Sequence, residues 1–586
     1  MKSKLLIISL LFLQWGYAQN QSPILPNNMT PEEEKNIDTY NQSRSPLGIT
    51  VPPTSSVRTM AEWEEIQSLV IAWVGYPGIL SQITDIAQEE CEVIVVCTDS
   101  NVVKSTLINN SVPLTNVSYI ETSVNSIWMR DYGGNTVYKN EVDSLYLVDW
   151  IYNRPRPADD DVPDAVAQFK NIPLYQTTSA PYSLVHTGGN FMTDGFGTAF
   201  SSNLVLDENA AGGQFNPENL TEAQIDHRMN LFMGIDEYIK MEVLPFDGIH
   251  HIDMHMKLLD EETLLVSEYP TGVADGPQIE QNLNYVLSNF TSTFGTPYKV
   301  VRIPVPPSTS GLFPDNGGYY RTYSNQVFVN KTVIVPTYRT EYDTIALRIL
   351  RDAMPGYKVV GIDCDTDPNN IIRQSGAIHC ITRAIGVSEP LLISHQRLRD
   401  TDNTTTPYTV SAYMNHVSGI AGGTLFWTTD TTNGYTSVPM SPTGNGNWEA
   451  QIPTQTLNTV VYYYVKGQAN SGKEQVRPIV APQGYWSFKV QTPTAILPLD
   501  MRLEVDNIFP NPSHTVACVS IHSSHLVTGR IKVLDMLGRP VQNVFNGEIP
   551  PGDQKYFIQT EKLPIGAYLV EVSLGNKLFL KKLLVQ

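Results

Sequence analysis

Residues 275–305, DGPQIEQNLNYVLSNFTSTFGTPYKVVRIPV, carry the pattern that decides the fold class of this chain. A helix-like stretch over 275–294 is followed by a short apolar run, KVVRIPV (299–305), of the kind that forms a buried strand. The same alternation extends to both sides. SLVIAWV (68–74), CEVIVVC (91–97) and KTVIVPTY (331–338) are further apolar runs. YDTIALRILRDAMPG (342–356) and EETLLVSEY (261–269) read as further helix-like stretches. Strands alternating with helices from 47 to 390 predict one α/β domain.

The flanks read differently. The opening MKSKLLIISLLFLQWGYAQN sets Lys2 and Lys4 before an apolar run, Leu5 to Leu13, and the small residues Gly16 and Ala18, which is the pattern of an export signal over 1–18. That run is too short to span a bilayer and no later one is long enough, so an exported chain without a transmembrane segment is expected. Residues 19–46 are polar, Pro-rich and almost free of large apolar residues, predicting a mobile leader or pro-segment with no core. From 391 to 492, GTLFWTTD, GNWEAQIP and TVVYYYVKGQA alternate between turns of Asn, Gly, Ser and Thr, the signature of a β-sandwich. QTPTAILPLD (491–500) is a Pro-marked linker, and 493–586 reads as a second small β domain.

Lys and Arg number 39 against 59 Asp and Glu, a formal net charge of −20, which makes nucleic acid the least suitable partner. The five cysteines, at 91, 97, 364, 380 and 518, are odd in number and form no C-x-x-C pair. Neither a disulfide-dense scaffold nor a zinc knuckle fits them, and at least one thiol is free.

Chemistry concentrates in five stretches of the α/β region. NSIWMRDYGGN (125–135) sets Trp128, Arg130 and Asp131 before a glycine turn. A carboxylate beside an indole suits a planar cation, and a surface Arg130–Asp131 turn is the plainer reading. In YNRPRPADDD (152–161), Pro155 and Pro157 stiffen a loop that presents Arg154 and Arg156 on one side if extended. Two guanidiniums held so suit a carboxylate, against the alternative of a solvated loop paired with Asp159 to Asp161. HTGGNFMTDGFGTAFSS (186–202) lacks any phosphate-loop pattern and reads as backbone packed close to a site, with Asn190 and Asp194 orienting neighbours. In DGIHHIDMHMKLLD (247–260), His251, Asp253 and His255 alternate along an expected strand, a set that suits either a metal or general acid–base work on a gripped substrate. RQSGAIHCITR (373–383) places Cys380 beside His379 and behind Ser375-Gly376, as a buried small side chain or a nucleophile.

W-M-R-D-Y-G, T-G-G-N, H-x-D and G-x-I-H-C in this order resemble the guanidino-group-modifying enzymes, in the branch of the agmatine deiminases and the secreted Porphyromonas-type peptidylarginine deiminases. The tail, with FPNP (509–512), VLDMLGRPV (533–541), PIGAYLVEV (564–572) and the basic KLFLKKLLVQ, resembles the sorting domains of type IX secretion. These resemblances imply a five-bladed, pseudo-symmetric α/β propeller over 47–390, an Ig-like module over 391–492 and a sorting domain over 493–586. They also imply Cys380 as nucleophile, His251 as general acid/base, Asp131 and Asp253 as guanidinium clamp, and Asn325 of RTYSNQVFV near the thiol, although Asn330 lies close by. Trp128 and Ile249 would wall the substrate, and Arg154 with Arg156 would bind its terminal carboxylate. No metal or cofactor is implied. The partners would be arginine-bearing peptides or proteins, preferably with C-terminal arginine, and the secretion machinery, at the outer surface or outside the cell by way of the periplasm.

The residue types agree with that chemistry. A guanidinium is a delocalised cation and a poor electrophile, so two carboxylates that fix its face and bring Cζ to a thiolate lower the barrier by positioning. Three rivals stand beside this reading. One is an agmatine or free-arginine deiminase, one is a Cys-His-Asn hydrolase, and one is a surface-binding protein with an inactive deiminase domain.

Overall fold

A computed structural model of the chain describes residues 24–491, 503–575 and 577–586. The expected export signal and most of the expected linker lie outside the described residues. Between 57 and 386 the chain repeats one unit: two antiparallel strands, a helical crossover, and a third strand parallel to the second. Asn135–Lys139, Leu145–Trp150 and Leu174–Thr177 form one such unit. Met192–Thr193, Thr198–Ser202 and Glu237–Met241 form the next. Met256–Asp260, Thr263–Glu268 and Lys299–Pro304 follow, and then Val327–Val329, Thr332–Thr337 and Lys358–Asp363. In the fifth, Arg383–Gly386 from the end of the region pairs antiparallel with Ile66–Ala72 from its start, and Ile66–Ala72 pairs parallel with Glu92–Cys97. That pairing stitches the two ends of the region together.

The helices form for the reason the sequence gives. Gly276–Asn289 carries Pro277 in its first turn and buries Ile279, Leu283 and Val286, one stripe of an α-helix laid on the sheet. Thr340–Ala353 buries Ile345, Ala346, Ile349 and Leu350 in the same way. EETLLVSEY departs from expectation, because Thr263–Glu268 within it is a strand. Its two edges are paired, one antiparallel and one parallel, and both of its faces are covered, since the consecutive residues Leu264, Leu265 and Val266 are all fully buried.

Residues 24–46 also depart from expectation, since they are built into the structure. Two short helices, Pro31–Glu34 and Ile37–Ser43, dock on the α/β region. Ile37 and Tyr40 share a small core with Ile151, Val185 and Phe215. Met29 packs beside them and Ile24 packs on the main core, so the receiving surface supplies most of the apolar area.

Leu392–Lys489 forms eight strands around a separate core that includes Val410, Leu425, Val461 and Phe488. The strands between 503 and 585 enclose another, including Val519, Ile531, Val570 and Leu583. Val301 pairs with Asp553 across the contact between this last region and the α/β region.

Asn330 shows how adjoining units are fastened. It turns the hairpin before Thr332 at φ 50°, accepts from the Ile66 N–H at 2.9 Å, and donates to the carbonyls of Ile66 at 3.1 Å and Glu90 at 2.9 Å. Asn330→Ala leaves those backbone groups without their partner and forces a Cβ residue to keep a left-handed conformation, at a cost of roughly 2–4 kcal/mol. A clear fall in the denaturant midpoint checks this, and an unchanged midpoint contradicts it.

Candidate active site

Each unit delivers its chemistry from the same place, the loop just ahead of its first strand. Asp131 precedes Asn135, Thr187 and Gly189 precede Met192, His251 and Asp253 precede Met256, Asn325 precedes Val327, and Cys380 precedes Arg383. All of these side chains are buried, and Cys380 is 0% exposed.

Cys380 Sγ lies 3.1 Å from Asn325 Nδ2 and 3.7 Å from Asp253 Oδ2. Asn325 also donates to Asp253 Oδ2 at 3.0 Å and accepts from the His379 N–H at 3.0 Å. It therefore fixes the thiol loop and one carboxylate together, whereas Asn330 is the fastening described above. His379 bridges two carboxylates, with Nδ1 2.7 Å from Asp253 Oδ2 and Nε2 2.7 Å from Glu62 Oε1. The ring satisfies both only with a proton on each nitrogen. Burial works against the Glu62 charge, yet His379, Lys257 and Arg130 around it hold its carboxyl well below the usual range.

Across the site, Asp131 Oδ1 accepts from the Thr187 hydroxyl at 2.9 Å and the Gly189 N–H at 3.2 Å, with His251 Nδ1 at 3.5 Å. A side chain at Gly189 would put its Cβ 2.5 Å from His251 Nδ1 and 2.9 Å from Asp131 Oδ1, which is why the T-G-G-N stretch packs as bare backbone. Asp131 Oδ2, Asp253 Oδ1 and His251 Nδ1 are buried without a hydrogen-bond partner among the described residues. Two enclosed carboxylates thus each keep an oxygen open. Such oxygens suit a hydrogen-bonding cation.

The local charges have clear consequences. Burial, with Asp253 and Asp131 adding their negative field, pushes the Cys380 thiol well above its usual range. Burial lowers His251 to about 3, so its imidazole is neutral near pH 7. Burial also raises the carboxyl of Asp131, against the opposing pull of the Thr187 hydroxyl, Arg154 and the Gly189 N–H.

Several sequence expectations are corrected. Arg130 and Asp131 form no surface turn. The Arg130 N–H donates to the Cys380 carbonyl at 3.0 Å and its Nε to the His379 carbonyl at 3.3 Å, so Arg130 braces the thiol loop. The Arg154–Arg156 loop is neither extended nor solvated. Arg156 N–H donates to the Arg154 carbonyl and Arg156 is 1% exposed, while Asp159 accepts from Ser126 and Asn125 instead of pairing with either arginine. His251, Asp253 and His255 do not alternate on a strand, because Ile252–Met254 is a 3₁₀ turn, and both His255 nitrogens are buried without partners among the described residues.

Asn190 and Asp194 orient their own loop as expected, Asn190 on Ser202 and Asp194 on the N–H groups of Phe196 and Thr198. Ile249 is buried beside Asp247, which accepts from its N–H at 3.1 Å. Trp128 is fully buried, and a Cβ on Gly376 would meet its indole and stand 3.1 Å from Cys380 Cβ. Glu62, Thr187 and Gln374 escape sequence reasoning. Glu62 lies in AEWEEIQ with no turn, glycine or histidine to mark it.

Residues 58–385, more than half of the sequence, match the family model described as Porphyromonas-type peptidyl-arginine deiminase. The chain belongs to that family. It is a deiminase of the guanidino-group-modifying superfamily. Residues 507–586 match the secretion system C-terminal sorting domain, so the tail addresses the chain to the type IX machinery. The agmatine deiminase of Medicago truncatula is 24% identical over 370 residues, 55% of this chain and 94% of its own. A "putative agmatine deiminase" of Mycoplasma mycoides subsp. mycoides is 26% identical over 298 residues, 46% of this chain and 77% of its own. One solved "putative agmatine deiminase" superposes with a TM-score of 0.50 at 20% identity, over 58% of this chain and 100% of its own, a likeness of fold. Among the described residues no helix is long and apolar enough to cross a membrane.

Burial, with the field of Asp253 and Asp131, sets a measurable property. A raised pKa favours the neutral thiol, so its thiolate is scarce at neutral pH and grows roughly tenfold per unit until the pKa is passed. The thiolate absorbance of the protein minus that of Cys380→Ala should still be climbing above pH ~9, and Asp253→Asn should shift it to lower pH. A difference curve already flat at pH ~8 contradicts the assignment.

Proposed function

We propose that this chain hydrolyses peptidylarginine, with a preference for C-terminal arginine, to peptidylcitrulline and ammonia. The observation that carries the reading is the pair of enclosed carboxylates, each with an open oxygen, on either side of one thiol. Burial and the field of Asp253 and Asp131 together keep Cys380 protonated, and a guanidinium held between the two carboxylates offsets that field, so the substrate itself eases formation of the thiolate. Neutral His251 takes the thiol proton, Sγ bonds to Cζ, and His251 returns that proton to the departing nitrogen as ammonia leaves. Water then adds to Cζ of the thiouronium as His251 accepts its proton. The C–S bond breaks, the proton left on the added hydroxyl passes to the sulfur, His251 gives its own proton to the medium, and a neutral urea group remains on the product.

Arg154 and Arg156 are assigned to the substrate's terminal carboxylate. The guanidinium of Arg156 already holds a carboxylate in a fork, with Glu33 oxygens 2.6 and 3.3 Å from Nε and Nη2. Trp128 and Ile249 serve as the apolar wall. Agmatine is the competing substrate, favoured by the names of the relatives, and it lacks a carboxylate for these arginines.

The same reading takes the five repeated units as the blades of a propeller over 47–390, the strands of 391–492 as an Ig-like module, and 493–586 as the sorting unit. A chain ending at 492 should keep its activity and accumulate in the periplasm, and surface delivery of that chain would refute the sorting role.

Ammonia and citrulline or urea released from arginyl peptides, agmatine and free arginine, each at saturating concentration, test the substrate. Cys380→Ala should lose release on every substrate while remaining folded. The acid-to-amide ratio of kcat/KM on a C-terminal arginyl peptide should collapse in Arg154→Ala/Arg156→Ala, since each charge-assisted bond is worth roughly 1.5–3 kcal/mol. A ratio unchanged by the double substitution excludes these arginines as carboxylate readers, and exclusive turnover of agmatine overturns the peptide reading.

A further inference from the structure

Three of the groups assigned to the substrate, Trp128, Arg154 and Arg156, are already in use, all by one short strip of the chain. The Leu25 carbonyl accepts from Trp128 Nε1 at 3.0 Å, the Pro26 carbonyl from Arg156 Nη2 at 2.7 Å, and the Asn27 carbonyl from Arg154 Nε at 2.8 Å. The Asn27 N–H donates to the Gln374 carbonyl at 2.8 Å. Asn27 is therefore gripped through both ends of its peptide unit, as a bound peptide residue would be, and it is 0% exposed. Neither atom of its side-chain amide has a partner among the described residues, an expensive burial for a polar group. The strip runs close to the chemistry, because the indole that holds the Leu25 carbonyl is within one methyl group of Cys380 at Gly376.

The residues that follow anchor it. Thr30 opens Pro31–Glu34 with a capping box, and Glu33 both closes that box and occupies the guanidinium of Arg156. Ile37 and Tyr40 are seated against Ile151, Val185 and Phe215, and Arg44 Nη2 reaches the Phe215 carbonyl at 2.8 Å. Beyond them Ser45, Pro46 and Leu47 are exposed, Leu47 by 77%, so the docked strip leaves through an accessible tether.

We propose that residues 24–44 are a built-in competitor of the substrate. Their main chain occupies the polypeptide subsite formed by Trp128, Arg154, Arg156 and Gln374, and the Glu33 carboxylate stands in for that of the substrate. This rests on the deiminase reading above and adds its regulation: the intact chain is latent and cleavage at 45–47 releases it. A tethered segment acts at an effective concentration on the order of millimolar. If it dissociates at roughly 10–100 µM once cut, it raises the apparent KM of the intact chain roughly 10–100-fold and leaves kcat alone.

A site-specific protease sequence placed between Ser45 and Leu47 of the full chain tests this. After cutting and removal of the segment, KM for a C-terminal arginyl peptide should fall roughly tenfold or more at constant kcat. Added synthetic peptide 24–44 should restore the inhibition competitively, and the same peptide with Glu33→Ala should be markedly weaker. Equal KM before and after removal overturns the proposal. Calorimetric binding of peptide 24–44 to the cut chain is read independently of turnover, with Arg156→Ala in the cut chain as control. If the cut chain turns over no guanidino substrate, the deiminase reading fails. Binding that is abolished by Arg156→Ala would still support occupancy of the cleft, whereas no binding overturns the occupant on either outcome.

Discussion

Asp131 and Asp253 are two carboxylates enclosed in protein within reach of one thiol, and the surrounding structure is arranged around the cost of putting them there. Neither forms a salt bridge with an arginine or lysine among the described residues. Asp131 is held by a hydroxyl and a backbone N–H, Asp253 by an amide and the His379 ring. Cations nearby are committed elsewhere: Lys257 and Arg130 face Glu62, and Arg156 faces Glu33. Had an arginine paired with Asp131 or Asp253, the pair would be more stable and closed to a cationic ligand. Leaving each an oxygen without a partner costs stability and keeps negative charge available to a hydrogen-bonding cation.

Such a site demands rigid delivery, and the repeated unit supplies it. In every unit the loop before the first strand is fixed on one side by a hairpin and on the other by the last strand of the preceding unit. Five separate loops therefore bring their residues together with little freedom, although Asp131 and Cys380 are far apart in sequence. Arg130 shows the principle at atomic scale. It is adjacent to one carboxylate and binds the carbonyls of His379 and Cys380, so the loop with the thiol and the loop with the clamp move as one piece. The pairing of Arg383 with Val70 completes the circuit between the ends of the region.

Legibility in the sequence followed the physics of each segment. The helix at 276–289 was readable because one face is wet and its apolar residues keep a helical period. Thr263–Glu268 was not, because a strand covered on both faces loses alternation and leaves only a short apolar run. Cys380, His251, Asp253 and Asp131 stood out as reactive types beside turns, and the structure brings them into one enclosure. Arg154 and Arg156 were legible as a pair but not as buried groups, since the residues that bury them come from the leader. That leader was misread for a related reason. Composition measures what a segment can bury by itself, whereas Ile37 and Tyr40, with Met29 beside them, bury against Phe215, Ile151 and Val185 of the α/β region. Glu62 was invisible because its importance comes from His379, Lys257 and Arg130, all distant in sequence.

The electrostatics and the leader bear on each other. With the cleft covered by the leader, burial and the negative field of Asp253 and Asp131 favour the protonated thiol, and His251 is neutral. A protonated, enclosed thiol is a poor nucleophile and a poor target for oxidants, so the covered state shields the group that the proposed chemistry uses. A guanidinium reverses the field only if it reaches both carboxylates, which requires the main chain that carries it to take the places now held by Leu25, Pro26 and Asn27. Activation of the thiol and displacement of the leader are thus coupled through the same few groups. As proposed, the leader raises the concentration needed of every guanidino ligand that must evict it by one common factor, and spares only a ligand that reaches the carboxylates without using Trp128, Arg154 and Arg156.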